Sequence, residues 1–228
     1  MSERRSLSVD FLIWPASDVA ISYYRTALRL LHFGGLVLGA GGAVYVDLLI
    51  QRYSRKGMTD EAFGLLAATS RCVAVGLALL WITGIGFLVL YGFVEPAKLS
   101  NPKIYAKMTI VAMLSANGII VHRLVMPFLR QRIGRPLMAG VHSRVRIALI
   151  ACASVSIVSW SMPAVLGAAP QLNFVAPYWS IMAVYALLLL LGFAVIALVM
   201  TDAGALKNKS DENIRMPFAP ALREGAAD

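Results

Sequence analysis

Five long stretches of the chain are almost wholly apolar, and the polar positions gather between them. A helix needs about 20 residues to cross the ~30 Å hydrocarbon layer of a bilayer. Five runs meet that length: Leu30–Gln51, Cys72–Phe93, Ile104–Leu129, Ile147–Ala169 and Tyr178–Thr201. The runs are continuous rather than alternating, and in lipid each backbone group must find its partner within its own segment, so helices are predicted. The expected fold is all-α, a polytopic membrane bundle of five transmembrane helices over residues 30–201. An N-terminal segment, 1–29, precedes it and a polar tail, 202–228, follows. Phe11, Leu12, Ile13 and Trp14 read as a stretch lying at the membrane surface, where Trp is favoured. Asp10 and Pro15 interrupt that stretch too soon for a cleaved export signal. The tail "KNKSDENIRMPFAPALREGAAD" is polar and Pro-containing, and is expected to be mobile.

Composition agrees with the pattern. Hydrophobic residues make up 59% of the 228 and charged residues 14%, against about a quarter charged in water-soluble domains. Much of the net charge of +9 lies between the apolar runs. Arg130, Arg132, Arg135, Arg144 and Arg146 separate the third and fourth runs with no acid among them. Arg52, Arg55, Lys56 and Arg71 stand against Asp60 and Glu61 between the first and second. These two segments fall on one side, which the positive-inside rule assigns to the cytoplasm. The N-terminus is then outside and the C-terminus cytoplasmic, although Arg4, Arg5, Arg25 and Arg29 pull the other way. The expected setting is a bacterial inner membrane, with lipid headgroups rather than nucleic acid as the partner of the basic loops. Cys72 and Cys152 lie in apolar runs and form no CxxC or CxxCH motif, which excludes a disulfide framework and covalent haem attachment.

The first run, "LRLLHFGGLVLGAGGAVYVDLLIQR", is more than an anchor needs. His32, Gly35, Gly39 and Gly42 share one helix face. Such a smooth strip suits a neighbouring helix or a flat ligand. Fifteen residues separate His32 from Asp47, and fifteen separate Lys107 from His122 in the third run. Each interval is roughly 22 Å of helix and keeps its pair near one face. Because the two runs point the same way, His32 and Lys107 would share one level, and Asp47 and His122 another. Ionisable groups in spans usually face the bundle interior or pair with one another. Plainer roles stand beside these: Lys107 snorkelling to headgroups, His122 and Arg123 reaching the interface, Asp47 braced by Arg71 or Arg123, His32 as a satisfied core histidine. His142 reads as interfacial. The run Ser154–Pro163 either lines a cavity or bonds back to helix carbonyls, and Met162 is a soft metal ligand or, more often for a lone Met, packing.

Together, "LRLLHFGGLVLGAGGAVYVDLLI" and "KIYAKMTIVAMLSANGIIVH" resemble the first and third membrane helices of HemJ-type protoporphyrinogen oxidases. Those small haem-associated proteins pair a His in the first helix with a Lys early in the third. "CVAVGLALLWITGIGFLVL" is similar in character to the intervening helix, and CopD-type copper-resistance membrane proteins share the general pattern. The likeness covers roughly residues 25–125. It implies haem b, with His32 on the iron and Lys107 either holding a propionate or serving as second ligand. Gly35 and Gly39 would let the macrocycle lie against the helix, and Asp47 and His122 would form a proton route or a structural pair. The implied activity is electron transfer or protoporphyrinogen oxidation, an oxidoreductase with an electron-transfer partner. Two alternatives stay open: an ion, metal or proton-coupled permease of the CopD kind, or a non-catalytic subunit of a larger membrane complex, as one chain or as an oligomer. A copper route is disfavoured because Met108, Met113, Met126, Met162, Met182 and Met200 are dispersed over several depths.

Overall fold

The computed structural model describes residues 18–53, 57–137 and 140–215. Its elements are α1 (Asp18–Tyr53), α2 (Asp60–Val94), a 3-10 turn (Pro96–Ser100), α3 (Pro102–Arg130), α4 (Ser143–Ala168) and α5 (Tyr178–Arg215). Among the described residues there is no strand, and all five helices carry a segment long and apolar enough to cross a membrane. Large apolar side chains such as Phe93, Val37, Trp179 and Leu198 face outward, as suits hydrocarbon and not water.

Helix ends depart from the hydropathy limits. α1 begins at Asp18 rather than Leu30, and α2 at Asp60 rather than Cys72. The 36 residues of α1 make about 54 Å of helix, well beyond the ~30 Å layer. The polar flanks of both runs contain no Pro, so the winding continues where the hydropathy stops. For the same reason α5 runs to Arg215, where a polar tail from residue 202 was expected; the first Pro in that stretch is Pro217. The expected surface stretch at Phe11–Trp14 and the last residues of the tail lie outside the described residues.

The starts are capped by side chains the sequence supplies. Thr59 accepts a hydrogen bond from Ala62 N at 3.2 Å, and Asn101 accepts from Lys103 N at 3.2 Å with Pro102 in the first helical position. His142, expected at the interface, caps α4 by accepting from Arg144 N at 3.4 Å.

α1 and α2 form the most extensive helix pair, antiparallel and joined through small residues. A Cβ added to Gly76 would stand 2.5 Å from Gly39 N and 2.7 Å from Gly35 O, so the two backbones touch. α4 packs between α3 and α5 and also reaches α1. Ala106, Ile110, Val158, Met162, Leu166 and Tyr185 form the α3–α4–α5 core, while Ala43, Leu80, Leu114 and Trp160 join the two halves of the bundle. At the far end the two basic loops are tied together, with Gly134 N donating to Met58 O at 2.8 Å. Met58, Leu129 and Leu137 are buried there with Leu49, Ala62 and Leu66.

One turn of α3 is irregular. Val121–Val125 is π-helical, with Met126 N bonded to Val121 O. Pro127 explains it: the ring lacks an N–H and would crowd the carbonyl one turn back, and the wider turn relieves both conflicts.

Candidate functional site

At one end of the bundle α1 supplies His32 and α2 supplies Thr83, with His32 Nδ1 and Thr83 Oγ1 2.7 Å apart. The Thr83 hydroxyl donates to Leu79 O at 2.7 Å. Its single proton is thereby committed, so it accepts from His32 Nδ1–H, and the lone pair of the neutral ring rests on Nε2. The Phe87 ring packs against the imidazole in a T-shaped arrangement at a centroid distance of 5.9 Å. His32 is half-buried, with one nitrogen satisfied and the other spare.

Lys107, on α3, is half-buried and within electrostatic reach of His32 on one side and Lys103 on the other. Its Nζ lies beside Gly167 of α4, 3.6 Å from where a Cβ would be. Among the described residues no acceptor lies within hydrogen-bond distance of that Nζ. Lys107 instead lines a cavity of about 240 Å³, together with Lys98, Lys103, Tyr91, Asn101 and Asn173.

Lys103 reads from the sequence only as a loop charge, yet it is 4% exposed. Its ammonium donates to Ala169 O at 2.6 Å and Asn173 Oδ1 at 2.9 Å. The first of these is the carbonyl that closes α4, where a helix end favours a cation. Asn101 holds the same corner, donating to Asn173 Oδ1 at 3.4 Å and accepting from Phe174 N at 3.3 Å. A signal was present: Asn-Pro marks the helix start, and Lys103 and Lys107 four apart share a face. At the rim Lys98 pairs with Glu95 at 2.6 Å and Arg25 reaches the same oxygen at 3.3 Å. The Lys98 hydrogen bond, helped by the Lys98 and Arg25 charges, holds the Glu95 carboxyl below the usual glutamate range.

No family model, curated protein or solved structure matches this chain. The likeness to HemJ-type proteins rests on the helix residues alone, and its cofactor is tested by the packing.

Gly35 faces Gly76 O and Leu80 of α2, and the face of Gly39 is filled by the indole of Trp160. The smooth strip is therefore spent on helix contact, and Gly35 and Gly39 offer no face to a macrocycle. The cavity beside Lys107 is smaller than the ~300 Å³ at which small-molecule sites begin, and His32 is not on its wall. His32 Nε2 has the chemistry of an iron ligand, but haem b does not fit the helices as they pack. Among the described residues no three His, Cys, Asp or Glu side chains converge as a metal-binding group, and Met162 is core packing beside Ile110 and Leu166.

Near the other end Asp47 is half-buried on α1, between Gly42, which meets Val73 of α2, and Leu49, which clusters with Leu66. No ion pair joins Asp47 to Arg71 or Arg123 among the described residues, so neither braces it. His122, in the π turn, is exposed and places Nε2 3.4 Å from Ser70 Oγ of α2. No hydrogen bond joins it to Asp47 among the described residues. Two serines of the Ser154–Pro163 run bond across to the neighbouring helix. Ser154 donates to Leu189 O at 2.8 Å and Ser159 meets Tyr185 Oη at 2.7 Å, stitching α4 to α5. Ser161 alone of the three bonds back, to Ile157 O at 2.8 Å.

Proposed function

We propose that this protein is an ion permease whose transport is coupled to protonation of groups inside the bundle. The observation that carries the reading is that His32 and Lys107, on two different helices, lie within electrostatic reach of each other, each with a nitrogen uncommitted to any protein acceptor or donor. A structural role would use those atoms up, and uncommitted ionisable groups inside a membrane bundle are the parts of a proton or ion route. Asp47 adds a carboxyl without an ion pair, further along α1 in the direction of the basic loops. The glycine contacts that fix α1 on α2 hold His32 and Asp47 in one frame while a proton moves.

Reconstitution in liposomes containing a pH-sensitive dye tests the proposal. An imposed ion gradient should drive proton movement above that of empty vesicles, and His32→Ala, Lys107→Gln and Asp47→Asn should each lower it by about tenfold or more, the scale expected when a positioned proton carrier is lost. Flux equal to that of empty vesicles for every small anion and cation tried would end the permease reading.

A further inference from the structure

We propose that the cavity walled by Lys98, Lys103 and Lys107 binds an oxyanion of the phosphate class. Four cations, Arg25, Lys98, Lys103 and Lys107, gather at this end of the bundle, and Glu95 is the acid that ion-pairs with them among the described residues. Cations removed from water are normally matched by an anion, and here one carboxylate serves two of the four. The donor count leads the same way. An ammonium has three N–H donors; Lys103 spends two on Ala169 O and Asn173 Oδ1, and Lys107 spends none on the protein. The surplus lies along one wall, beside Gly167, where the missing side chain leaves room against Lys107 Nζ.

Size and position narrow the ligand. About 240 Å³ admits a small oxyanion or a single headgroup phosphate but not a drug-sized molecule. Lysines suit such a guest because a flexible point charge needs no planar, two-pronged acceptor. The cavity lies at the end of the spanning segments, where lipid phosphate and dissolved phosphate both have access, and the chemistry of the two is shared. The assignment rests on the permease reading for the fate of the bound anion; binding itself can be read without transport.

The test uses the full chain in nanodiscs of zwitterionic lipid, titrated with inorganic phosphate by calorimetry at constant ionic strength, with chloride as control. Lipid phosphorus retained after exhaustive detergent exchange is measured in parallel. Wild type should bind phosphate in preference to chloride, or keep tightly held anionic lipid, the two results separating a dissolved from a lipid source. Lys107→Gln should weaken whichever is seen by about tenfold or more, and the more exposed Lys98→Gln by a few-fold, as loss of charge-assisted hydrogen bonds requires. Lys107→Arg, which keeps the charge, should retain most of it. Equal phosphate affinity and equal retained phosphorus in wild type and both Gln variants would overturn the proposal. Because Lys98 lies at the rim and is partly exposed, its variant reports even if Lys107→Gln fails to fold. Binding without flux would spare this site and sink the permease, and flux without binding would do the reverse.

Discussion

The indole of Trp160 lies across the α-carbon of Gly39, in the space any larger residue on that face would need. A chain segment on α4 is thereby fixed against α1. Gly39→Ala would gain up to ~1 kcal/mol of helix propensity but force the ring or helix aside, at about 1–3 kcal/mol for overpacking. The expected result is a lower unfolding temperature in detergent, read by circular dichroism. Adding Trp160→Ala to that variant should cost less than the sum of the two single changes, because each alone disturbs the same contact. Strict additivity would mean the two residues do not act as a unit.

Thr83 orients His32 through one hydrogen bond. Thr83→Val keeps the shape and deletes the hydroxyl, leaving a half-buried Nδ1–H unsatisfied at about 1–3 kcal/mol. Thr83→Ser should behave like wild type. Proton flux in vesicles should fall in the Val variant and persist in the Ser variant; equal flux in all three would show that the tautomer of His32 is irrelevant to transport.

Glu95 ties Lys98 and Arg25 at the rim, and its folded carboxyl is held below the usual glutamate range by the Lys98 hydrogen bond and the two charges. A carboxyl held low in the folded state stabilises it fully at pH values above the unfolded glutamate titration. That contribution is lost as acid carries the pH down through the lower, folded value. Thermal unfolding followed from neutral to acid pH should show a decline in this window, shallower in Glu95→Gln. Identical slopes for the two proteins would remove Glu95 from the rim's stability.

Purified in mild detergent, the protein should be colourless, without a Soret band, and a pyridine haemochrome assay should find no haem. The filled faces of Gly35 and Gly39 are the reason. A Soret band present in wild type and absent in His32→Ala would mean that α1 and α2 part to admit a macrocycle, and the permease reading would give way to a redox one.

The five spans were legible because hydropathy alone decides what lipid will accept. Their ends were not, since helix winding continues through Ser22, Arg25 and Arg29, and through the stretch after Thr201, where no proline interrupts it. That His32 would sit inside the bundle was legible from its depth and apolar neighbours. The burial of Lys103 was hidden, because it depends on Ala169 and Asn173, partners far along the chain that no local pattern announces. The glycines were visible but ambiguous: a smooth face does not say what will cover it, and the answer lay in Trp160 on a helix three spans later.

The wide turn at Val121–Val125 sets how α3 is indexed. On a regular helix, residues seven apart share nearly the same side. His122 and Leu129 are seven apart, yet the imidazole is exposed while Leu129 sits 1% exposed under the joined loops. One surplus residue, held in this single turn, lets one rod present two facings that straight winding would merge. Removing a residue from this turn would therefore re-aim everything beyond it, swinging Leu129 out from beneath the loops without shortening the span by more than a fraction of a turn.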